Sequence, residues 1–138
     1  MARRLLSLIA VIGCAACSEP ASTPTSPSEV TVGTQLFSGT LPVAGAKFYS
    51  YSVNTGGTVA AMLASLSPGL GGSPSTRVEL GIGIPAGTGC RLLTSSVVGP
   101  ALVPQLQLSQ TPGVYCVSIA DTGSLVSPMA FAIRISHP

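Results

Sequence analysis

From residue 29 onward the chain alternates apolar and polar side chains with a period of two. In the stretch 77–84, Val78, Leu80, Ile82 and Ile84 fall at every second position, with Arg77, Glu79, Gly81 and Gly83 between them. That spacing predicts a strand with one buried face. Phe131, Ile133 and Ile135 repeat the pattern against Ala132 and Arg134, and Tyr49, Tyr51 and Val53 do so against Ser50 and Ser52. Tyr115, Val117 and Ile119 alternate with Cys116 and Ser118, which turns Cys116 outward. Residues 36–41, 91–98 and 105–108 supply further candidate strands. Residues 58–66 are rich in Ala, Met and Leu, which favour helix. The segment has no charge for a solvated helical face, so it reads as a strand buried on both sides.

Turn chemistry separates these runs. Residues 54–57, 69–74, 87–89, 111–113 and 121–123 each offer Gly or Asn for positive φ, or Pro to preset a turn. About seven or eight short strands at this spacing predict an all-β antiparallel sandwich of jelly-roll type.

Composition narrows the reading further. Of 138 residues, 46% are hydrophobic and only 7% charged, with 16 Gly, 12 Pro and no Trp. An average soluble chain carries roughly 25% charged residues. The profile excludes a coiled coil, an ion-paired helical bundle and a charged disordered tail. Six Lys/Arg are too few for a basic face that reads nucleic-acid phosphates.

The N-terminus has the anatomy of an export signal: Arg3 and Arg4, an apolar run from Leu5 to Ile12, then small residues and a cysteine. The run is too short to span a membrane, which needs about 20 residues. It resembles the lipobox of bacterial lipoproteins, in which a diacylglyceryl-modified Cys becomes the first mature residue. Two registers compete. Val11-Ile12-Gly13-Cys14 has a suitable branched residue, but leaves a very short signal and a stray thiol at Cys17. Cys14-Ala15-Ala16-Cys17 leaves one lipidated cysteine and one pair, so parity favours Cys17, with Cys14 the alternative. No Asp follows either cysteine, and the resemblance then implies outer-membrane anchoring, on a periplasmic or surface face.

The expected organisation is a signal at 1–16, a lipidated Cys with a Pro/Ser/Thr-rich tether at 17–28, and a β-sandwich at 29–138. The tether has no bulky apolar residue to offset the entropy of ordering. Its prolines give a reach on the order of 30 Å, at about 3.1 Å per residue. With Arg3 and Arg4 removed, Lys47, Arg77, Arg91 and Arg134 balance Glu19, Glu29, Glu79 and Asp121. The formal net charge of +2 therefore belongs to the targeting segment.

Cys90 and Cys116 are the only cysteines of the domain, and export predicts a structural disulfide between them. A redox or metal role calls for a close CxxC pair or His and acid partners, which the spacing does not offer.

Phe37-Ser38-Gly39-Thr40-Leu41, then Lys47-Phe48-Tyr49-Ser50-Tyr51-Ser52-Val53 with a Gly-rich turn, resembles the opening of the bacterial pre-peptidase C-terminal domain family. Residues 106–117, with a leucine-rich strand, Pro112-Gly113 and Tyr115, resemble its closing pattern. The resemblance covers roughly residues 35–120. It implies a jelly-roll-like sandwich of the kind appended to secreted peptidases and linked to secretion, localisation or substrate binding, standing alone here. Some members bind Ca²⁺ through acidic clusters, whereas Glu29, Glu79 and Asp121 are widely separated, so no binding residue carries over.

Catalysis is not expected. A triad would need His137, Asp121 and a serine to meet, with His137 on a chain end expected to fray, and no GxSxG elbow is present. Glu79 reads as a solvated residue pairing with Arg77 or Arg134, and Asp121 as the first residue of an Asx-type turn. The glycines of 81–87 lie inside a strand pattern with no helix after them, so they are no phosphate cradle. They mark a close backbone approach or an edge instead. No cofactor or metal is called for. Most aromatics are in phase with apolar neighbours, and Phe48 is the candidate exposed contact. The expected function is non-catalytic: a membrane-tethered module binding a protein or glycan partner. The alternatives are a structural, self-assembling envelope protein and a secreted accessory domain.

Overall fold

A computed structural model describes residues 32–68 and 75–138. The expected signal, Cys14, Cys17, the tether, Glu29 and the turn at 69–74 lie outside the described residues.

Eight strands follow one another: β1 (Gly33–Leu41), β2 (Ala46–Val53), β3 (Gly57–Pro68), β4 (Val78–Ala86), β5 (Gly89–Val98), β6 (Leu106–Gln110), β7 (Gly113–Asp121) and β8 (Met129–His137). They form two antiparallel four-stranded sheets, ordered β1-β8-β3-β6 (sheet A) and β2-β7-β4-β5 (sheet B). This interleaving is the jelly roll. Every connection crosses between the sheets except the β4–β5 hairpin. The chain is thereby sewn into one sandwich around one core.

The inward rows are those the alternation predicts. Val78, Leu80 and Ile82 of β4, Val117 and Ile119 of β7, and Ile133 and Ile135 of β8 are fully buried, with Tyr51, Val53 and Phe131 beside them. Each such aliphatic side chain contributes roughly 1.5–3 kcal/mol on leaving water. Ile84, expected inward, is only half-buried. The pairing register slips just before it, between Ile82 and Gly83, where β5 carries an extra residue.

The segment 58–66 is a strand, as its lack of charge implied. Val59, Ala61 and Leu63 face the core, and Met62 on the other face is buried as well. A second bulge at Ala64 shifts the phase, so that Leu66, opposite Phe131, returns to the core. β6 covers only the first part of β3, pairing from Gly57 to Ala61. Beyond it the crossover after β5 takes over. Gln105 N–H donates to Ala61 O and Ala101 N–H to Leu63 O, both at 3.0 Å. The Gln105 side chain fills the remaining gap: its Oε1 accepts from Leu63 N–H at 2.8 Å, and its Nε2 donates to Gly99 O at 2.7 Å. An amide side chain here does the work of a backbone peptide, and the edge of β3 keeps no bare polar groups at that point.

At the end of the sandwich where β1 and β7 finish, Asp121 ties two loops together. Its Oδ1 accepts from the N–H groups of Gly123, Ser124 and Leu125, as the sequence implied. Its Oδ2 accepts from Ala44 N–H at 2.8 Å, and Ala44 holds a positive φ of 54°. The Ala44 N–H foremost, then the other three amides, hold the carboxyl below its ordinary range. A depressed folded value stabilises the fold above the ordinary Asp range and loses that stabilisation as pH falls through it. The thermal midpoint of the native chain should therefore fall on acidification more than that of Asp121→Asn, the two converging once Asp121 is protonated. Parallel curves from neutral to acid pH would remove Asp121 from this role.

Candidate functional site

Alternation leaves sheet B a second, solvent-facing surface. Across its four strands one row runs Phe48, Ser118, Gly81, Ser95. Flanking rows hold Ser50, Cys116, Gly83 and Leu92, and Ala46, Ala120, Glu79 and Val97. Phe48 is 39% exposed, as its phase predicted, and the other five aromatics pack in or against the core. Phe37 stacks on Tyr49 with centroids 5.1 Å apart, and Tyr49 meets Phe131 edge-on. Phe48 therefore stands on a floor of small side chains, with exposed Leu92 and Val97 on the far edge and exposed Val114 toward one end.

The glycines of β4 keep that floor low. A methyl group on Gly81 would sit 2.7 Å from the Leu92 Cδ2, so Leu92 lies where a side chain would otherwise stand. One on Gly83 would collide with the carbonyl oxygen of Arg91, the close backbone approach expected of glycine inside a strand. Glu79 is the only charged residue of the three rows. Its partner is neither Arg77 nor Arg134: Arg134 is on sheet A, and Glu79 Oε1 accepts from Ser95 Oγ at 2.8 Å. Two neighbouring strands, β4 and β5, simply bring Ser95 nearer.

Cys90 and Cys116 stand at disulfide geometry, Cα atoms 5.9 Å apart, with Cys116 buried although it belongs to the outward row. Cys90 is the second residue of β5. β4 separates β5 from β7, and two strand spacings amount to about 9.5 Å. The shorter separation means that the hairpin end bends toward β7 beyond the bulge. The pair closes the outer face of sheet B along that side.

A second cluster lies at the opposite end from Asp121. His137 was expected on a frayed end; instead it is the last residue of β8, paired with Gly33 and buried. Its ring stacks on Tyr51 with centroids 6.1 Å apart. Gln35 Nε2 and the Pro138 carbonyl oxygen each lie 3.1 Å from one ring nitrogen, partners that fit an Nδ1–H tautomer. Tyr51 in turn donates to Gln110 Oε1 at 3.2 Å, and burial pushes its hydroxyl up to about 12. The buried Gln110 Nε2 has no partner. His137 and Asp121 sit at opposite ends of the sandwich, so the pair a triad would require is not assembled. The cluster joins β1, β2, β6 and β8 and brings no serine or cysteine nucleophile to the imidazole.

A cleft of about 260 Å³ opens beside the crossover after β5, lined by Arg77, Gln105 and residues 97–101. Sequence reasoning gave no sign of it, because it arises where two connections meet. Among the described residues no group of three His, Cys, Asp or Glu converges to hold a metal ion. No family model matches the chain, and no curated protein matches it.

Cys116→Ser should lower the thermal midpoint clearly under non-reducing conditions. The chain-entropy cost of the opened loop is about 3.5 kcal/mol. An unchanged midpoint would show that the linkage contributes nothing to the fold.

Proposed function

We propose that this chain is an exported, lipid-anchored, non-catalytic module that binds a protein or glycan partner of the cell envelope through the outer face of sheet B. The observation that supports the reading most is Phe48, an exposed aromatic ring on a low, nearly uncharged floor carrying the hydroxyls of Ser50, Ser95 and Ser118. Sugar rings and peptide side chains bind such faces by stacking on the ring and hydrogen bonding around it. The export and lipobox features of the sequence supply the location, with Cys17 the preferred acylation site and Cys14 the alternative. The likeness of 35–120 to the pre-peptidase C-terminal family fits an accessory, substrate-directing role.

A self-assembling envelope protein is the second reading. It draws on β5, an edge strand of ten residues with exposed Leu92, Leu93 and Val97. Such an edge offers unpaired backbone groups to another strand, although the bulge opposite Gly83 works against long pairing.

Phe48→Ser should leave the thermal midpoint almost unchanged, since the ring already meets solvent, and weaken retention on isolated cell-wall glycan or envelope protein severalfold. Equal retention by both forms would contradict the sheet-face reading. Concentration-dependent self-association without either fraction would favour the second.

A further inference from the structure

An edge strand turns unpaired N–H and C=O groups to solvent, and these accept another strand unless something obstructs them. The edges here are β1 and β6 in sheet A and β2 and β5 in sheet B. Three of the four carry an obstacle. β6 has only five residues and lies between Pro104 and Pro112, which have no N–H to donate. Beyond it, the crossover and the Gln105 side chain occupy the edge of β3. β5 carries Arg91 and the bulge that breaks its register beside Gly83. β2 carries Lys47, a charge in phase with its inward row of Tyr49 and Tyr51.

β1 has none of these devices. Its nine residues pair with β8 from Gly33 to Leu41 without a register shift, and none of them is charged or a proline. Leu36, on the outer face, is 63% exposed, the one large apolar side chain that the strands of sheet A leave in solvent. The half-buried ring of Phe37 flanks it on the core side. The Tyr49 hydroxyl donates to Ser38 O at 3.1 Å, which engages β1 at that point. Among the described residues no side chain caps the backbone from Gly33 to Phe37 in this way.

We propose that β1 is the pairing edge of a two-fold dimer: a second copy of this chain adds its own β1 antiparallel, joining the two A sheets into one of eight strands. A two-fold at or next to Leu36 sets the two Leu36 side chains beside each other and takes them out of water. The edge is self-complementary in charge because it has none. Arg134, opposite Leu36 on β8, is the only Lys, Arg, Asp or Glu on the strands of sheet A. The two Arg134 side chains would stand three strand spacings apart, about 14 Å. Salt screens charges beyond about 8 Å. Lys47 lies at the Leu41 end of β1, away from the axis. Other occupants fit less well. A foreign strand is selected through pockets or charges beside the edge, and β1 offers neither. Within the chain, residues 17–28 hold Pro20, Pro24 and Pro27, which lack the N–H a ladder requires. The axis stands perpendicular to the joined sheet, so both outer faces of sheet B look the same way and stay free. The inference uses no residue of that face, and a pair closed on its two-fold is distinct from open-ended assembly through β5.

The test places single cysteines on two edges of the full chain, Leu36→Cys on β1 and Leu93→Cys on β5, both exposed positions. Cells producing each form are treated with a mild oxidant, and the unsubstituted chain controls for other thiols. Leu36→Cys should give a band of twice the mass, linked through position 36 of both copies, and Leu93→Cys should not. The purified full chain in detergent should sediment as a dimer, with a thermal midpoint that rises with concentration. Leu36→Lys should weaken association by roughly tenfold or more and make the midpoint independent of concentration. Phe48→Ser should leave the dimer intact. A chain that stays monomeric at every concentration, or equal cross-linking at 93, would overturn the proposal. Growth past two copies would do the same and assign self-association to β5. Linkage of Leu36→Cys to a different protein and not to itself would also overturn it, and give the edge to a foreign strand.

Discussion

Every strand except β5, which contributes only Val98, gives alternate side chains to one shared aliphatic layer between the two sheets, and the rest of the structure follows from keeping that layer sealed. Because all connections but the β4–β5 hairpin cross from sheet to sheet, neither sheet can part from the other without unthreading the chain. Where the regular pairing would carry a side chain to the wrong face, the backbone changes phase. The bulge at Ala64 returns Leu66 to the core, and the one opposite Gly83 bends the β4–β5 hairpin until Cys90 meets Cys116. Where pairing runs out along β3, the Gln105 side chain completes it.

The same constraint explains which parts could be read from the chain alone. A period of two is a direct signature of a half-buried strand, so the eight strands, the inward rows of β4, β7 and β8, and the exposure of Phe48 were legible. The pairing of Glu79 was not, because neighbouring strands are set by sheet order, and sheet order leaves no mark in local pattern. The burial of His137 is legible in the same pattern, against the expectation of a frayed chain end. It continues the inward row of Phe131, Ile133 and Ile135, just as Gln110 continues that of Leu106 and Leu108. A polar residue in phase with a buried row implies a buried polar group with a partner. The cleft beside Arg77 depends on two loops meeting and had no sequence signal.

The proposed binding function lies on the scaffold's outside, on one face of sheet B. The sheet face is flat, stapled by the cysteine pair and almost free of charge. Among the described residues the few formal charges are scattered: Lys47 and Arg91 on edge strands, Arg77 at the cleft, Asp121 at a loop, and Glu79 and Arg134 on the outer faces of the two sheets. In the proposed function this module is held against an envelope by its N-terminal anchor.

Intact-mass and N-terminal peptide analysis of the native protein, recovered from the membrane fraction, tests that claim most directly. The account predicts a mature chain beginning at an acylated Cys17, or in the alternative register Cys14, with the mass of a closed Cys90–Cys116 bond. An unmodified N-terminus following Ala16, with the protein recovered from the medium, would contradict anchoring and leave a secreted β-sandwich binding domain in its place.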